Sequence, residues 1–169
     1  MTTTPHSPDP TPARAPDPAQ GPSTSRGTVL VVDPSSLSLI AMAGVLDSQG
    51  YACICARTLD SAISALTMGP IDLVVCDVAS DAPAALEMLI ALRAHKDHAD
   101  LPAILIADAK WAGLEKKTEL LPATTRCLFK PIDPGSLLAV ADQLLVMPHL
   151  IASHRRRGTR PGRPGWVSL

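Results

Sequence analysis

Three short apolar runs in this 169-residue chain stop at residues able to do chemistry. Val29-Leu30-Val31-Val32 stops at Asp33, Leu73-Val74-Val75-Cys76 at Asp77, and Cys127-Leu128-Phe129 at Lys130. A fourth run, Ala103-Ile104-Leu105-Ile106-Ala107, stops beside Asp108. Two carboxylates brought to one place repel each other. They are tolerated where a cation bridges them, most naturally Mg²⁺, which takes carboxylate and water oxygens. A lysine at the same place pairs with an anion held there. Together these groups form a site for accepting a phosphoryl group: a carboxylate attacks phosphorus while the cations neutralise its equatorial oxygens. Singly, each residue is ordinary, since an Asp after a strand commonly serves as a turn former or helix cap. The pattern across several runs carries the specificity.

Such residues meet only if the runs lie side by side and parallel. Thr28–Val32, Tyr51–Cys55, Asp72–Cys76, Ala103–Ala107 and Arg126–Phe129 read as five strands, apolar without alternation, as strands covered on both faces are. Between and after them lie helical patterns. The first opens at Pro34-Ser35-Ser36 and runs to about Ser48, the second covers Leu59–Met68 with its cap at Thr58 or Asp60, and the third covers Pro83–Ala94. A weaker pattern covers Trp111–Leu121, and the last covers Pro134–Val146. Five β–α units in about 120 residues predict an α/β fold, a doubly wound parallel sheet with helices on both faces. In open parallel sheets the reactive site lies at the carboxyl ends of the strands. Asp33, Asp77, Asp108 and Lys130 all fall there.

Composition divides the chain into a Pro-rich segment 1–27, a domain over 28–147 and a basic tail over 148–169. The first segment has almost no large apolar residue and is expected to lack fixed structure. The domain carries 14 Asp+Glu against eight Lys+Arg, net −6, and the tail five arginines and no acid. The tail, Arg155–Arg163 above all, is expected to make at most salt-dependent, non-specific contact with nucleic acid. With only four aromatic residues in the chain, a stacking platform for single-stranded nucleic acid is excluded. No apolar run approaches the roughly 18–20 residues that span a bilayer, and the N-terminus does not read as a secretory signal. Cys53, Cys55, Cys76 and Cys127 sit in strand-like runs and read as buried, reduced thiols, so a cytoplasmic location is expected.

Residues 28–147 resemble the receiver domains of two-component response regulators. The resemblance rests on Val29-Leu30-Val31-Val32-Asp33, on Asp72-Leu73-Val74-Val75-Cys76-Asp77, on Leu86-Glu87-Met88-Leu89, on Leu101-Pro102-Ala103-Ile104-Leu105 and on Phe129-Lys130-Pro131. It implies a five-stranded flavodoxin-like sheet of order 2-1-3-4-5. It implies Asp77 as the phosphoacceptor, Lys130 as the partner of the phosphoryl oxygens, and a weak Mg²⁺ site made by Asp33 and Asp77 with the Ala79 backbone. It also implies a signalling protein rather than an enzyme, fed by a histidine kinase or phosphotransfer protein that docks on the first helix at Leu39, Ile40 and Ala43.

The sequence departs from the family at several points. Pro34 stands where receivers carry a second, metal-touching acid. Ala107 replaces a switch hydroxyl and Cys127 a switch aromatic. Ser80-Asp81 replaces Met-Pro, and Ala85 a glycine. Asp108 is a candidate to supply the missing carboxylate. Two readings follow, a phosphorelay receiver accepting phosphate on Asp77 and a phosphorylation-independent pseudo-receiver that works as an interaction module. A third, a flavodoxin-like binder or small hydrolase using Asp33 and Asp77, lacks any Gly-rich phosphate loop.

Overall fold

The computed structural model describes residues 25–145, apart from 80 and 122. Five parallel strands, β1 (Thr28–Val32), β2 (Ala52–Ala56), β3 (Leu73–Asp77), β4 (Ala103–Ala107) and β5 (Thr125–Phe129), form one sheet in the order β2-β1-β3-β4-β5. Helices α1 (Ser36–Asp47), α2 (Leu59–Met68), α3 (Ala82–Arg93), α4 (Leu114–Thr118) and α5 (134–145) accompany them. The Arg-rich stretch and most of the Pro-rich segment lie outside the described residues. Arg26 and Gly27, placed in that segment by composition, already pair with Gly50 and Ala52.

Side-chain alternation along the strands splits the core in two. Leu30, Val32, Val74, Cys76, Leu105 and Ala107 pack under α2 and α3. Val29, Val31, Leu73, Val75, Ile104 and Ile106 pack under α1 and α5. Both sets are buried, which is why the runs read as continuously apolar in sequence. Each fully buried Val, Leu or Ile contributes about 1.5–3 kcal/mol.

Local chemistry sets the helix starts. Ser35 caps α1 and Asp81 caps α3, each accepting a backbone N–H three residues on. Thr58, rather than Asp60, caps α2 through a reciprocal box with Ser61. The fourth helical segment departs from expectation. A 3-10 turn covers Ala109–Trp111, and α4 begins only at Leu114. Gly113, at φ 97°, lies in the left-handed region and breaks the pattern that apolar spacing alone suggested. The thiols also divide: Cys76 is buried, but Cys55 on the edge strand β2 is exposed.

Tyr51 ties the α1–β2 junction to α5. Its side chain is buried and its hydroxyl donates to Asp142, which also pairs with Arg26 at 3.0 Å. Burial, then the hydrogen bond and charge of Asp142, push the phenol up from 10.0 to about 12. Its neutral form therefore contributes stability that is complete below pH 10.0 and lost as the pH rises towards about 12. Tyr51 is the chain's single tyrosine, so tyrosinate absorbance reads this group alone. The native protein is expected to titrate close to the raised value, and Asp142→Asn to titrate lower. A native midpoint at the ordinary tyrosine value would contradict the contact.

Candidate functional site

Strand register brings the site together. Val32 pairs with Cys76, so Asp33 and Asp77 follow on adjacent strands at one level of the carboxyl edge. Ala107 pairs with Phe129, and the Lys130 N–H donates to the Ala107 carbonyl, which carries Lys130 to the same edge. Asp33 is 2% exposed and Asp77 7%. The Lys130 ammonium lies 2.6 Å from Asp77 Oδ2. The three residues predicted from separate strand ends thus share one acidic crevice.

Each carboxylate closes a tight turn. Asp33 Oδ1 accepts the Ser35 N–H and Asp77 Oδ1 the Ala79 N–H, both at 2.7 Å. Ala79 has φ 50°, a left-handed conformation unusual for alanine, and the Asp77 bond helps hold it there. The remaining oxygen of Asp33, Oδ2, is buried and has no hydrogen-bond partner. Burial works against charge on Lys130. The hydrogen bond to Asp77 and the fields of Asp77, Asp108 and Asp33 outweigh it and raise the lysine above its ordinary value. The pairing is therefore complete below the ordinary lysine value and is lost only as the pH climbs through the raised one. Beside this pair Cys76 is pushed up to about 12, by burial first and by Asp77 and Asp33 next, so it offers no thiolate at neutral pH.

Of the four carboxylate oxygens of Asp33 and Asp77, only Asp33 Oδ2 is left open to a cation. Pro34 has no side-chain oxygen, and its carbonyl accepts two hydrogen bonds from the Arg57 guanidinium, from Nε at 3.1 Å and from Nη2 at 2.8 Å. Both oxygens of Asp77 and one of Asp33 are engaged within the protein. Among the described residues no group of three His, Cys, Asp or Glu side chains is arranged to hold a metal ion. Asp108 does not replace the missing acid, because its carboxylate is half-exposed and faces Lys110 at 3.9 Å.

The expected docking set on the first helix changes. Leu39 is 6% exposed and packs in the core against the sheet, so it is not available to a docking partner. The exposed large apolar residues of α1 are Leu37 and Ile40, at 82% and 69%, while Ala43 is half-buried. Ala107 is fully buried under α2 and α3, and Cys127 lies 3.8 Å from Thr118 of α4. Arg57 is the residue that sequence reasoning missed. It follows β2 directly, so the strand-end rule that found Asp33, Asp77 and Lys130 applies to it equally.

No protein-family model and no curated protein matches the sequence. Solved structures do. The chain is similar to the chemotaxis protein CheY4 of Vibrio cholerae, with a TM-score of 0.63 and 22% identity over 70% of this chain and 98% of that one. It is similar to the receiver domain of NtrX from Brucella abortus, with a TM-score of 0.61 and 25% identity over 70% and 98%. The signal receiver domain of a putative LuxO repressor protein from Vibrio parahaemolyticus gives a TM-score of 0.63 and 18% identity over 75% and 95%. The chain therefore has the flavodoxin-like fold of CheY-like receiver domains. Among the described residues no helix is long and apolar enough to cross a membrane.

Proposed function

We propose that this chain is a receiver-type signalling module that accepts a phosphoryl group on Asp77 from a phosphohistidine donor and acts through protein–protein contacts. The observation that carries this reading is the buried Asp77 carboxylate held 2.6 Å from Lys130 beside a second buried acid. An Asp77 oxygen attacks phosphorus, the P–N bond breaks, and the donor imidazole leaves with the electron pair. Asp77 becomes an acyl phosphate. Lys130 moves from the lost carboxylate charge to the phosphoryl oxygens, which add roughly −1.5 to −2 of charge at that strand end.

The output half of a receiver is altered. Ala107 has no hydroxyl to follow the phosphoryl group, and the thiol of Cys127 stands in the switch position. The signal then rests on the loops around Asp77 and Lys130, since a ligand shifts an equilibrium only by its differential affinity for the two states. The alternative, a module indifferent to phosphate, leaves the pairing of Asp77 with Lys130 only a structural role. The uncharged face of α1 around Leu37 and Ile40 is the docking surface for the donor.

The test is intact-mass analysis after incubation with acetyl phosphate and, separately, with a phosphorylated phosphotransfer domain. Wild type gains one phosphoryl group from either donor, and Asp77→Asn gains none. Ile40→Glu accepts from acetyl phosphate at the wild-type rate but about tenfold more slowly from the protein donor. Equal phosphorylation of Asp77→Asn and wild type would end the reading.

A further inference from the structure

The Asp77 crevice is short of acid and supplied with an extra base. Pro34 contributes no carboxylate, and immediately across from it the Arg57 guanidinium is held by two hydrogen bonds to the Pro34 carbonyl. Among the described residues Arg57 makes no ion pair with a carboxylate. Arg57, Pro34, Asp77 and Ala79 line one open cleft of about 560 Å³ that continues between α2 and α3. Arg57 and the accepting residue therefore border one solvent space.

Charge arithmetic gives this arrangement a consequence. Asp33 and Asp77 are matched in number by Lys130 and Arg57, while Asp81 and Glu87 also line the cleft and Asp108 acts on Lys130. A further acid in place of Pro34 would add to this negative charge and would repel a phosphoryl group more strongly unless a divalent ion entered first. Here the pull for a divalent ion is weakened three ways: one acid is missing, the adjacent carbonyl is occupied, and a guanidinium charge stands beside it. Arg57 is exposed, so its head keeps most of its hydration and swings on a long stem at little cost. Its planar fork leaves donors beyond the two used on Pro34, and such a fork suits phosphoryl oxygens.

We propose that Arg57 is the second cation of the Asp77 crevice: with Lys130 it holds the phosphoryl oxygens at Asp77, supplying charge that a divalent ion would otherwise supply. This rests on Asp77 being the phosphoacceptor, and Arg57 acts as a binding and positioning group for that reaction.

Beryllofluoride, an anionic mimic of a phosphoryl group on a carboxylate, tests it. The full chain is titrated and followed by backbone amide chemical shifts, once with excess Mg²⁺ and once with EDTA. Wild type is expected to bind in both, with less than about a threefold difference in affinity. Arg57→Gln is expected to bind within about twofold of wild type in Mg²⁺ and about tenfold more weakly in EDTA. Arg57→Lys keeps the charge but loses the fork and is expected to fall between them in EDTA. A purely structural role, through the Pro34 carbonyl, would weaken binding equally with and without Mg²⁺, and that parallel loss would overturn the proposal. Binding by wild type in Mg²⁺ alone would overturn it too, while leaving Asp77 as acceptor. No binding by wild type under either condition would remove both.

Discussion

Lys130→Ala is expected to slow phosphorylation of Asp77 by acetyl phosphate about 100-fold or more, read as the rate of mass gain. The ammonium is placed before the reaction begins, 2.6 Å from the nucleophile, so its attraction to developing phosphoryl charge needs no rearrangement. The same variant leaves the buried Asp77 next to Asp33 with its partner removed. The protein should then be less stable at neutral pH. Lys130→Arg is not expected to restore the rate, since a guanidinium is larger and planar where a compact ammonium fits. An unchanged rate in Lys130→Ala would take Lys130 out of the mechanism.

Arg93→Ala is expected to cost about 3 kcal/mol of stability and to lower the melting temperature by roughly 10 °C. Arg93 ends α3 and is 6% exposed. Its guanidinium donates to the Leu101 carbonyl at 2.9 Å, to Thr125 Oγ1 at 2.9 Å and to the Thr124 carbonyl at 3.4 Å. It thus joins the end of α3 to the starts of β4 and β5. Burial lowers its pKa, and its position in the last turn of α3 lets the helix dipole favour the charge. Truncation leaves the Leu101 carbonyl and Thr125 Oγ1 without this donor, while the Thr124 carbonyl keeps the Ala103 N–H, and opens a void beneath them. Thermal unfolding measures the effect, and a shift within about 1 kcal/mol would show that water fills the place of the guanidinium.

Much of the molecule follows from local pattern. The strands at Thr28–Val32 and Ala103–Ala107 were placed to the residue, because a short apolar run bounded by polar turns has one economical solution, a strand buried on both faces. β2 and β3 lie one residue later than read, since Tyr51 and Asp72 belong in type to either side of the boundary. The fourth helix is shorter than its pattern suggests, because the spacing of Trp111, Leu114 and Leu121 suits a helix while the backbone of Gly113 does not. Leu39 departs from expectation for a related reason. An α1 sequence apolar on all sides has no phase from which to read its inner face, and the sheet chooses Leu39 over Leu37 and Ile40.

The sequence alone determined that Asp33, Asp77 and Lys130 end parallel strands, because each apolar run sets its own length and parallel connection sends every carboxyl end to one edge. Only the tertiary structure decided which oxygens there remain free. The hydrogen bonds from Arg57 to Pro34 join residues 23 apart in the chain, and the ion pair from Lys130 to Asp77 spans β3 to β5 across β4. Such contacts depend on strand order, on register and on side-chain reach acting together, and no local stretch of sequence holds all three.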